Sequence, residues 1–125
     1  MSKDLYKNKF VTVFTKFIND ISELPFDYVK EKKDLINSII NLFPDKIIDF
    51  FNEYVMKYAP IIKKRDENFF LETDFSSLCD GDSELIANIF SFKDTWKILT
   101  DNNKKAIMDY ANLLVIIVEK VNKYN

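Results

Sequence analysis

Apolar residues return every three or four positions through most of the chain, and polar residues fill the gaps. That spacing is the signature of helices with one apolar face. The first stripe runs from about Asp4 to Glu23, with Phe10, Phe14, Phe17, Ile21 and Leu24 on one face and Val13 and Ile18 widening it. Ser2 is placed to cap its start and Pro25 to stop it. The second runs from Phe26 or Asp27 to Leu42, turning Leu35, Ile36, Ile39, Ile40 and Phe43 inward. Pro44 ends it and opens the third, because proline at a first helical position gives up an N–H that would be unbonded anyway. In the third, Ile47, Phe51, Tyr54 and Tyr58 form the stripe, Ile48 and Val55 flank it, and Pro60 ends or kinks it.

From Ile61 to Gly81 the periodicity fails. Ser, Asp and the only glycine cluster there, which predicts turns. A fourth helix follows from about Ser83 to Leu99, with Leu85, Ile89, Phe92, Trp96 and Leu99 at alternating spacings of four and three. The fifth runs from about Asn102 to Lys123, capped by Thr100 or Asp101, with Ile107, Tyr110, Leu114, Ile117, Val118 and Val121 on one face. Leu113 and Ile116 make its middle apolar all round, which predicts a central position. No segment alternates as a strand between hairpin turns. The expectation is an all-α fold: a single compact bundle of about five helices over residues 1–125, mostly antiparallel, with an irregular connector near residues 61–81.

Composition supports a well-filled core. Hydrophobic residues make up 47% of the 125 positions and aromatics 15%, ample for a domain that folds without staples. Charge narrows the function. The net charge is −2, and the 17 lysines and single arginine are spread among acids. Nucleic-acid binding usually leaves a basic stripe rich in arginine, so no nucleic-acid partner is expected. The chain has no histidine, which removes the commonest general base and zinc ligand. One cysteine cannot form an internal disulfide and fits a reducing compartment. The longest apolar run, Leu113 to Val118, is far short of the ~20 residues that cross a bilayer. No signal peptide or membrane partner is expected, and a soluble intracellular protein is.

Candidate chemistry is sparse. Asp74, Asp80, Asp82 and Glu84 surround Gly81, but a calcium loop registered on that glycine would place Leu78 and Ala87 at ligand positions. Solvated turn acids that cap the next helix are the simpler reading. Asp66 and Glu67 are adjacent, followed by Glu72 and Asp74; adjacent carboxylates point apart and do not make an acid–base pair. Cys79 has Asp80 and Asp82 beside it and no base, so it makes a poor nucleophile. No catalytic residue, metal or cofactor is therefore assigned. Trp96 and Tyr110 sit at stripe positions, as core or as interface. Tyr6, Phe26, Tyr28, Phe50, Phe75, Phe90 and Tyr124 lie off the stripes, and a contiguous patch of them would mark a partner surface. Between Pro60 and Gly81, the stretch K-R-D-E-N-F-F-L reads as a structural joint: Arg65, Asp66 and Glu67 as an outer clasp, Phe69 or Phe70 turned inward.

Several stretches resemble small uncharacterised helical proteins of giant viruses, the nucleocytoplasmic large DNA viruses. They are L-F-P-D at Leu42, I-I-D-F-F-N-E-Y-V-M-K-Y from Ile47, D-E-x-F-F-L at Asp66 to Leu71 and W-K-x-L-x-x-x-N-K at Trp96 to Lys104. The resemblance spans roughly Phe14 to Lys120; the final helix of such proteins often carries a tryptophan where this chain has Met108. It implies a location inside the infected cell, in host cytoplasm, virus factory or virion, and it offers no known enzymatic activity to carry over to this chain. Helical poxviral proteins similar to Bcl-2 share the length, but their N-W-G-R helix start is absent around Trp96. The expected function is a non-enzymatic viral domain that binds a viral or host protein. The alternatives are a self-associating structural or virion component and a Bcl-2-like antagonist of a host factor.

Overall fold

The computed structural model describes residues 2–68, 71 and 83–124, with the backbone alone for 83–90. It is an all-α bundle. Helix α1 is Lys3–Ile21, α2 Asp27–Leu42 and α3 Pro44–Phe50. A π-helical turn, Phe51–Val55, and a 3₁₀ turn, Met56–Tyr58, lead into α4, Ala59–Lys63. Helix α5 is Ser83–Ile98 and α6 Asp101–Asn122. The five apolar stripes thus correspond to five rods, the third being the broken rod from Pro44 to Lys63.

The helix ends have local causes. Ser2 Oγ accepts the Leu5 N–H at 3.3 Å, and Thr100 Oγ1 accepts the Asn103 N–H at 3.2 Å. Each satisfies a donor that a helix start leaves open. Phe26 precedes α2 without capping it. Its ring goes into the core instead and stacks on Phe92 with centroids 5.0 Å apart.

Pro60 explains the broken rod. In a continuous α-helix its ring would clash with the carbonyl four residues back and a hydrogen bond would be lost. The chain instead tightens at Met56–Tyr58 and restarts at Ala59, so Pro60 falls in a first turn, where it is tolerated. Ile61 to Lys63 complete α4, so the irregular connector begins at Lys64; its course from 72 to 82 lies outside the described residues.

Most neighbouring rods run antiparallel. Asn37 Nδ2 donates to Asn19 Oδ1 at 3.0 Å, where α2 runs back along α1; the third rod, with Asp45 2.6 Å from Lys7 and Phe51 against Phe10 and Phe14, then runs in the same direction as α1. The Tyr6 and Tyr124 rings lie 6.1 Å apart and those of Phe17 and Tyr110 5.3 Å, so α1 and α6 are antiparallel as well. The α1–α6 pair forms the most extensive helix contact among the described residues. Its inner side carries the core: Phe10 and Phe14 with the Phe51 ring edge-on, then Trp96, Leu114 and Val118. Burying side chains of this size stabilises the fold by about 1.5–3 kcal/mol each.

Three burial expectations are corrected. Leu35 and Phe43 face solvent, because α2 meets the core through Val29, Ile36 and Ile40 and these two lie off that edge. Phe26 is core although it lies off the stripes. Leu113 and Ile116 are exposed, so α6 is covered on its α1 and α4 sides and open on a third.

Candidate interaction surface

The open side of α6 meets the outer flank of α1 in a groove of about 570 Å³. Helix periodicity builds it. On α1, Phe10 and Phe14 turn to the core, which leaves Leu5, Lys9 and Thr12 on the neighbouring face. On α6, Leu114, Val118 and Val121 turn inward, which leaves Leu113, Ile116 and Lys120 outside. Tyr6, Val13 and the buried Ile117 close the bottom. The walls are apolar: Leu5 is 36% exposed, Leu113 43% and Ile116 37%. Asn8, Lys9, Thr12 and Lys120 supply the polar atoms of the lining, and no acid is among them.

A second apolar surface lies at the end of α2, where Leu35 and Leu42 share an outward face and Phe43 follows. Lys46 Nζ lies 5.0 Å from the Phe43 ring centre, so that surface is partly screened by a cation. Of the off-stripe aromatics, Tyr28, Phe50 and Tyr124 are exposed and Tyr6 is half-buried. Tyr6 and Tyr124 are neighbours, with ring centres 6.1 Å apart. Phe75 and the side chain of Phe90 lie outside the described residues.

The joint after α4 is tied to α6 in register. Lys63 pairs with Glu119 at 2.5 Å, Arg65 Nη1 with Asp109, and Glu67 with Lys104 at 3.1 Å. Asp66 Oδ1 accepts the Asn68 N–H at 3.1 Å, a local cap. Arg65 thus reaches across to α6 while its two acidic neighbours serve other partners. The hydrogen bond from Arg65 holds the Asp109 carboxyl below its usual range. Arg65 also has φ 57°, a left-handed conformation at the residue after a helix end, and its N–H donates to Ile62 O at 3.0 Å. Glycine is the usual occupant of that position. Phe69 and Phe70 lie outside the described residues.

Trp96 is fully buried, stacked 6.2 Å from Phe92 in the main core. Tyr110 is half-buried at the α1–α6 seam, where its hydroxyl donates to Asp20 Oδ2. Burial, and then the carboxylate, push its phenol up to about 12. Both residues join helices, and neither lines the groove. Asp20, Glu23, Asn103 and Tyr110, with Ile21, Leu24 and Ile107, line a smaller recess of mixed character beside the seam. Asp74, Cys79, Asp80, Gly81 and Asp82 lie outside the described residues, as does the side chain of Glu84. Among the described residues no three potential metal ligands come together, and no helix is long and apolar enough to cross a membrane.

The groove was not anticipated. The sequence signal for it was present in Leu113 and Ile116, apolar positions beyond the α6 stripe, but all-round apolarity reads equally well as full burial.

Comparison with known proteins agrees with the resemblance to giant-virus proteins. The chain is 34% identical over 92 residues to an uncharacterised protein of Acanthamoeba polyphaga mimivirus. The match takes in 70% of this chain and 51% of that protein, so the chain spans about half the length of the relative it matches. No family model and no solved structure matches the chain.

Proposed function

We propose that this chain is a non-enzymatic helical domain of a giant virus, acting inside the infected cell by binding a viral or host protein. The observation that carries this reading is the α1–α6 groove: apolar side chains stand open to solvent between two helices that are otherwise packed core to core. Contiguous exposed apolar surface of this kind marks interaction sites on folded domains. The test is affinity capture from infected cells with the wild-type chain and with Ile116→Glu in parallel. A protein retained by the wild type and lost with the variant supports the reading. Equal recovery with both, or no recovery with either, counts against it.

A second reading rests on the α2 surface. Leu35 and Leu42 stand outward on one face, 57% and 70% exposed, and a copy of this chain laid against them would cover both. In this reading the protein is a self-associating structural or virion component. Light scattering over a hundredfold concentration range separates the two: a constant monomer mass removes self-association, and a dimer lost on Leu42→Glu supports it.

A further inference from the structure

We infer that the occupant of the α1–α6 groove is a single amphipathic helix with acidic residues along the edges of its apolar stripe. This rests on the interaction reading and names the chemistry of the partner. The first argument is shape. The groove follows α1 from Leu5 to Val13, about 12 Å at the helical rise, or roughly two turns. A third helix laid between two antiparallel ones fills such a trough with anchors at i, i+3 or i+4, and i+7.

The second argument is charge. Lys9 and Lys120 stand at the polar edges of an apolar lining without a carboxylate. Elsewhere on the same helices Lys7 has Asp45, Lys104 has Glu67 and Lys105 has Asp109, though Lys16 of α1, away from the groove, has no such partner among the described residues. Among the described residues neither Lys9 nor Lys120 makes an ion pair; Lys9 lies over the Tyr6 ring at 5.6 Å. An incoming helix with glutamates flanking its apolar anchors supplies those carboxylates, and the complementarity fixes its register.

The same charges disfavour a second copy of this chain. A two-fold dimer sets one patch against itself. Here that would bring Lys9 and Lys120 toward their own equivalents, with no acid in the lining to compensate.

The test uses two fluorescent peptides of about fifteen residues, long enough to cover the groove. Both carry leucines at i, i+3 and i+7; one has flanking glutamates, the other flanking lysines. Fluorescence anisotropy should show the acidic peptide binding the wild-type chain about tenfold more tightly or better. Lys9→Glu with Lys120→Glu should exchange the preference, and Leu113→Glu should weaken both peptides. Circular dichroism checks that the variants keep their helix content. If the double variant fails to fold, Lys9→Gln in a salt titration reads the same charge term: preference for the acidic peptide must shrink relative to wild type.

Equal binding of the two peptides, no binding of either, or a preference that survives charge reversal overturns the inference. So does binding of phosphatidylserine vesicles that is lost on charge reversal, which would assign the lysines to a membrane surface. Capture of a groove-dependent partner from cells together with failure of the peptides would sink the acidic helix and leave the interaction reading standing. Failure of both would remove both.

Discussion

Trp96 has no exposed surface and joins the α5 end to the main core. Replacing it with alanine leaves a cavity the size of an indole, a change that costs about 3–5 kcal/mol. A domain of this size has only about 5–15 kcal/mol to lose. Trp96→Ala should therefore move the urea midpoint sharply or abolish cooperative unfolding, and Trp96→Phe should do much less. Tyr110 allows a pH test. Its phenol is raised from 10.0 to about 12, so the folded chain holds the proton more tightly than the unfolded chain. The contribution is whole below pH 10, falls as the unfolded phenol ionises, and is gone above about pH 12. The chain carries six tyrosines. The measurement is therefore a comparison: between pH 10 and 12 the wild type should lose stability more steeply than Tyr110→Phe. At this scale the stripe positions of Trp96 and Tyr110 were legible. Phe26 was not, because a residue just before a helix is outside any periodicity and its stacking on Phe92 is a contact between distant segments.

The helices themselves were largely readable, because prolines and caps punctuate them. Pro25, Pro44, Ser2 and Thr100 place ends within a residue or two of those observed. The interior of the third rod was not readable. A π turn and a 3₁₀ turn shift the phase of the stripe without changing its composition, and Pro60 can end a helix or begin one. The α4 end carries a sharper test. Arg65 is left-handed, so alanine there loses the ion pair to Asp109 and keeps the unfavourable backbone, while glycine loses the ion pair and relaxes the backbone. Arg65→Gly should be more stable than Arg65→Ala by roughly 0.5–1 kcal/mol in chemical denaturation. The opposite order would show that the joint does not hold this conformation in solution. The π turn is tied to α6 by a reciprocal amide pair, Asn52 with Asn122, at 3.2 and 2.8 Å. A double-mutant cycle of alanines should find the two coupled, by no more than about 1 kcal/mol for an exposed pair.

Over the whole molecule, the all-α class followed from periodicity and from the near absence of breakers. Which surface stays open did not follow. Leu113 and Ile116 carry the same letters whether a neighbouring helix covers them or not, and only the packing of α1 and α4 against α6 leaves that side free. The clasp at Lys63, Arg65 and Glu67 closes one side of α6, and the groove with Lys9 and Lys120 opens on the α1 flank. The ion-paired joint and the open apolar groove are therefore built on the same helix, α6. The most direct measurement is photocrosslinking in infected cells with p-benzoylphenylalanine in place of Ile116 or, on the distant α2 surface, in place of Leu42. If the groove is the docking site, a discrete adduct of one added protein forms from position 116, weakened by Lys9→Glu, and none forms from position 42. An adduct from position 42 with none from position 116 would place the interaction on α2 and rule the groove out.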